Sequence, residues 1–145
     1  MKKYFLALLL LLVPALPLPV LGGGIAATVY KSPTCGCCQA YAEYLRGHGF
    51  DVEVVATERL AELQRANGVP ARLAGCHSTR IGGYTFEGHV PAESIKRFLS
   101  EKPAARGLTV PGMPAGSPGM GGRREGPLHV YYLDDSATMQ LYDTR

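Results

Sequence analysis

The sequence lacks a surplus of charge. Fifteen basic residues face twelve acidic ones over 145 residues, and Lys2 and Lys3 belong to an apolar leader, so the remainder carries 13 against 12. Nucleic-acid binding needs a basic stripe, and that balance excludes it. There is no internal repeat, which excludes a stacked-repeat architecture. There is also no spread of cysteines. Of four in all, Cys35, Cys37 and Cys38 fall within four positions and only Cys76 is distant, so the chain has no framework stapling remote segments. A bridge within Cys35 to Cys38 closes too small a loop to constrain much of the unfolded chain.

Charge is absent again between Tyr4 and Tyr30. Lys2 and Lys3 ahead of the apolar block Tyr4 to Val13 make the pattern of a secretory leader, and residues 1–24 are read as a signal peptide cut among the small residues Gly22 to Ala27. An uncleaved membrane anchor is the competing reading, and only then would the chain contact a membrane. Pro14, Pro17 and Pro19 count against it, because they would break a spanning helix halfway. Residues 25–145 then form one domain outside the cytoplasm, of a size that a single core supports.

In that domain, Thr28 to Lys31 is a β-favouring run stopped by Pro33, and the thiols follow at once. Cys38, Tyr41, Ala42 and Leu45 fall at i, i+3, i+4 and i+7, the stripe of an amphipathic helix closed by Gly47 or Gly49. The three thiols therefore sit at a helix N-terminus, where free amides and the helix dipole favour thiolate. Asp51 to Val55 alternates as a half-buried strand. Thr57 is the expected N-cap of a helix carrying Leu60 and Leu63 and ending at Asn67-Gly68.

The segment Leu73 to Ile81 extends and turns at Gly82-Gly83 into Tyr84 to Phe86. Pro91 opens a third helix with Ile95, Phe98 and Leu99 on one face. Strand, helix, strand, then hairpin and helix, with thiols after the first strand, is the order of an α/β thioredoxin-like βαβ-ββα core. Gly107 to Pro127, rich in Gly and Pro, is expected to be loop throughout. Leu128 to Leu133 and Thr138 to Tyr142 are expected to form a C-terminal hairpin, with Met139 in its core.

Five blocks carry a resemblance: Cys35-Gly-Cys-Cys38, Gly75-Cys-His-Ser-Thr79, Gly82-Gly-Tyr84, Glu87-Gly-His-Val-Pro91 and Gly107 to Met120. In this order they resemble the CopG-like family of bacterial periplasmic copper proteins, over roughly Thr28 to the C-terminus. The resemblance implies a thioredoxin-like fold, copper resistance, copper redox chemistry, and thiol ligands at Cys35, Cys37, Cys38 and Cys76. The residue types agree, since thiolate and thioether are soft donors that select Cu(I). Met113 and Met120 supply thioethers from a proline-held loop. His77 is a ligand, an outer partner of a thiolate or a plain surface residue, and His89 either caps the third helix or approaches the metal. Four thiolates would overcharge one Cu(I), so more than one bridged ion is expected. Other copper-handling proteins of the periplasm are the expected partners.

Two further readings stand beside this one. In a thiol–disulfide oxidoreductase Cys35 attacks and Cys38 resolves, with Val69-Pro70 as the substrate-facing proline. A structural zinc site on Cys35, Cys38, Cys76 and His77 meets the ligand count but leaves Cys37 and both methionines without a role.

Overall fold

The computed structural model describes residues 23–145, and the expected leader, residues 1–24, lies outside them but for Gly23 and Gly24. Seven strands and three helices follow the chain as β1 (Ile25–Lys31), α1 (Gly36–Gly47), β2 (Phe50–Ala56), α2 (Leu60–Ala66), a 3-10 turn (Ala71–Leu73), β3 (His77–Ile81), β4 (Tyr84–Glu87), α3 (Ala92–Glu101), β5 (Gly107–Thr109), β6 (His129–Leu133) and β7 (Leu141–Thr144). They build one mixed sheet in the order β2-β1-β3-β4-β5-β6-β7. β1 runs parallel to β2 and antiparallel to β3, and β3 and β4 form the expected hairpin. The α/β order read from the sequence is thus present. Among the described residues no helix is long and apolar enough to cross a membrane.

Residues alternate between the two sheet faces along each strand. Val29, Phe86, Leu108 and Val130 point to the face covered by α1 and α3, where they meet Tyr41, Ala42, Leu45, Ile95 and Phe98 in the main core. The α1 stripe is as expected, with Cys38, Tyr41, Ala42 and Leu45 all buried. A side chain such as Leu45, with no exposed surface, contributes about 2 kcal/mol through burial. The opposite face holds a smaller cluster of Val69, Leu73 and Leu133.

Four expectations need correction. Gly107–Thr109 is not loop but strand β5, parallel to β4, with Gly107 beside Thr85. A Cβ at Gly107 would run into the Thr85 carbonyl, so the glycine that reads as a loop signal is what admits the strand. Thr57 does not cap α2. The N-cap position is Arg59, and Thr57 Oγ1 instead accepts the Arg59 amide at 3.0 Å, a side-chain turn one step before the helix. The buried residue of α2 is Gln64, while Leu60 and Leu63 are half-buried. Last, β7 begins at Leu141 rather than Thr138, and Met139 and Leu141 are 48% and 53% exposed, outside the core. The register shift at Val130/Tyr131 accompanies this displacement of the final pairing. β7 is held to α3 by Arg97, which donates to Tyr142 Oη at 2.9 Å and to Asp143 Oδ1 at 3.3 Å.

Candidate metal centre

The thiol cluster stands where β1 feeds α1. Pro33 ends the strand, and Cys35 takes the N-cap position in an extended conformation (φ −77°, ψ 103°), its amide donating to Ser32 O at 3.1 Å. Cys37 and Cys38 lie in the first turn of α1, Cys38 fully buried and Cys37 half-buried. Cys35 and Cys38 are joined in a disulfide, while Cys37 and Cys76 are free.

Cys76 reaches the cluster from the chain just before β3. Gly75 passes so close to Gly88 that a Cβ there would lie 2.6 Å from the Gly88 nitrogen, so only glycine fits. That close approach brings Cys76 and His77 to the level of His89, one residue beyond Gly88. Cys76 Sγ lies 3.6 Å from Cys38 Sγ, and Cys37 Sγ lies 3.5 Å from Cys35 Sγ. The sulfurs of Cys35, Cys37, Cys38 and Cys76 all fall within 4.8 Å of one another. The α1 thiols and Cys76 thus meet from two separate stretches of the chain.

A second group shares Cys76. His77, His89 and Cys76 offer donor atoms within 4.8 Å of one another, with Cys76 Sγ 3.4 Å from His77 Nδ1 and 3.7 Å from His89 Nε2. Both rings rest against Tyr41, at centroid distances of 4.5 and 5.4 Å, and meet each other edge to face at 4.9 Å. Tyr41 is itself fixed by donating its hydroxyl to Val90 O at 2.8 Å.

The hydrogen bonds decide one tautomer. His89 Nδ1 lies 2.6 Å from Pro118 O, and since a carbonyl only accepts, Nδ1 carries the proton. In the neutral ring Nε2 is then a bare lone pair facing Cys76 Sγ, the arrangement in which an outer carbonyl orients a metal-ligating histidine. His77 Nε2 is buried with no hydrogen-bond partner among the described residues.

Protonation follows burial. Desolvation pushes the Cys76 thiol up to about 12, with Cys37 beside it acting in the same direction. His77 is lowered to about 3, first by burial and then by His89, and His89 is lowered by burial. The metal-free site at neutral pH thus presents a neutral Cys76 thiol and two neutral imidazoles. A soft cation fits this set, because it replaces the thiol proton and uses the imidazole lone pairs without adding buried charge of one sign.

The Gly/Pro-rich loop closes over the site. Gly119 packs on α1, where an added Cβ would come within 2.6 Å of the Tyr41 backbone, and Pro118 supplies the His89 acceptor. Met120 follows directly and is half-buried. Met113 is 44% exposed and adopts a left-handed backbone, φ 48°. Val69-Pro70 leads into the 3-10 turn, and the position facing the α1 thiols is occupied by Cys76.

The model of a family described as proteins of unknown function, DUF411, matches residues 73–120. No curated protein matches the sequence. Two solved structures, of copper resistance protein CopG in forms 1 and 2, are similar to the chain with a TM-score of 0.75 each, at 34% and 33% identity, covering 84% of this chain and 98% of the other. The chain belongs to the CopG family.

Within this CopG-family chain the sequence reading missed three contributors. Glu87, Gln64 and Pro118 surround the donor residues without being donors of the expected kind. Pro118 O acts through its carbonyl, which any residue carries. Gln64 carries a signal that was present in the sequence, a polar residue four positions after Leu60 where the helix stripe calls for an apolar one, whereas Glu87 falls at a polar position of the Tyr84-Phe86 alternation and carries none.

Proposed function

We propose that this protein binds Cu(I) in the periplasm as part of copper resistance, through the thiolates of Cys35, Cys37, Cys38 and Cys76 with support from His77 and His89, and that Met120 and Met113 offer thioethers from the covering loop. The observation that carries the reading is the convergence of four cysteine sulfurs from two separate stretches within 4.8 Å. Softness of the donors favours Cu(I) over harder cations. The leader pattern in residues 1–24 supports export. Copper loading of all four sulfurs requires reduction of the Cys35–Cys38 disulfide, two electrons and two protons taken from a dithiol reductant.

The test is a competition titration with a Cu(I)-specific chromophoric chelator, on the disulfide form and on the anaerobically reduced form. The reduced protein is expected to take more than one Cu(I) per chain and the disulfide form fewer. Absence of Cu(I) uptake by the reduced protein contradicts the reading, and one zinc per chain retained in protein purified without added metal replaces it with a zinc site.

A second reading rests on the Cys35–Cys38 disulfide itself. In thiol–disulfide exchange a substrate thiolate attacks one of these sulfurs, the other leaves as thiolate, and a second substrate thiol releases the oxidised substrate and the reduced protein. Exchange with a model dithiol that copper chelators leave unaffected would favour this activity.

A further inference from the structure

On the sheet face opposite His77, Glu87 is buried with no exposed surface at the end of β4. Among the described residues no cation pairs with it. Its carboxylate instead accepts three hydrogen bonds: from Ser78 Oγ on β3, from the Gly75 amide at 3.0 Å, and from Gln64 Nε2 on α2 at 3.0 Å. Gln64 Nε2 also donates to Gly75 O at 3.0 Å. Both peptide groups of Gly75 are therefore held from one side, and Gly75 immediately precedes Cys76.

Glycine loses more conformational freedom on ordering than any other residue, so a cysteine that follows one is poorly placed unless the glycine is fixed from outside. The close approach of Gly88 requires glycine here, which removes the choice of a stiffer residue. Gln64, the buried residue of α2, gives that helix its polar attachment at the same point.

We infer that Glu87 and Gln64 are positioning residues for Cys76, clamping the Gly75 peptide groups so that Cys76 Sγ is held against Cys38 and His89. The inference rests on the copper reading of the same centre for its consequence, but the clamp itself is testable without metal. Loosening Gly75 frees Cys76 Sγ to swing away from the Cys38 sulfur now 3.6 Å off, while Cys37, carried by α1, stays where it is.

The experiment uses the metal-free protein with its disulfide intact, in which Cys37 and Cys76 are the two free thiols. Alkylation by iodoacetamide is followed at each cysteine by peptide mass spectrometry in the wild type, Glu87→Ala, Glu87→Gln and Gln64→Leu. Glu87→Ala is expected to raise the Cys76 rate about tenfold and leave Cys37 within about twofold, the scale set by losing a buried acceptor. Glu87→Gln keeps an acceptor for Gly75 and is expected to restore the wild-type ratio. Should Glu87→Ala fail to fold, Gln64→Leu carries the test, since it removes the bond to Gly75 O while leaving the carboxylate, and a raised Cys76-to-Cys37 ratio is again expected. A ratio unchanged in the folded variants, or Glu87→Gln behaving as Glu87→Ala, overturns the inference. A parallel Cu(I) titration of the reduced proteins separates the two ideas. If the wild type takes no Cu(I), the copper reading fails and the alkylation ratio alone decides the clamp.

Discussion

Glu87→Gln should make stability respond to pH in a way that isolates one buried carboxylate. Burial raises Glu87 from its ordinary 4.5 to about 7, against the opposing hydrogen bonds from Ser78, Gly75 and Gln64. Between those values the folded state holds a proton that the unfolded state has released, so stability falls as pH rises through that window. At about 1.4 kcal/mol per pH unit the loss accumulates to about 3 kcal/mol by pH 8. His77 works the other way. Its folded value of about 3 lies below the ordinary 6.5, so between those limits the unfolded state binds the extra proton and stability rises with pH. That contribution is common to wild type and variant and cancels in their difference. Urea unfolding of the metal-free, disulfide-bonded proteins from pH 4 to 8 should therefore show Glu87→Gln gaining on the wild type by about 3 kcal/mol between pH 4.5 and 7, and a constant difference outside that range. A difference independent of pH, or one in which the wild type gains as pH rises, would refute the burial argument.

Other outcomes follow from the same geometry. Because the Cys76 thiol is protonated throughout the neutral range, Cu(I) binding must displace its proton, and the slope of log affinity against pH in the reduced protein should drop by about one on Cys76→Ser. Gly75→Ala should lose about 1–3 kcal/mol on thermal or urea unfolding, since the new methyl meets the Gly88 backbone at 2.6 Å and the segments before β3 and after β4 must part to admit it. Tyr41→Phe should cost about 1 kcal/mol by leaving the buried Val90 carbonyl without its donor, and the His77 and His89 ring resonances should shift with it in NMR spectra.

The elements legible in the sequence were those with a clean period. The α1 stripe of Cys38, Tyr41, Ala42 and Leu45 and the β3–β4 turn at Gly82-Gly83 both stand as read, because local spacing alone specifies them. β5 was hidden because its leading glycine answers a steric demand set by Thr85, twenty-two positions earlier, which no local window contains. α2 misled in the other direction. Leu60 and Leu63 look like a core face, yet the contact made is polar, Gln64 to Glu87 and Gly75. The meeting of Cys76 with the α1 thiols was legible as chemistry, from three clustered thiols and one distant partner, whereas the tautomer of His89 depends on a carbonyl that carries no side-chain signature.

The central claim is tested most directly by X-ray absorption at the copper edge on the reduced protein, expressed without residues 1–24 and loaded with Cu(I). The account predicts an edge typical of Cu(I), a coordination shell dominated by sulfur with a smaller imidazole contribution, and loss of the imidazole signal in the His77→Ala, His89→Ala double variant. A shell of nitrogen and oxygen neighbours without sulfur would contradict it.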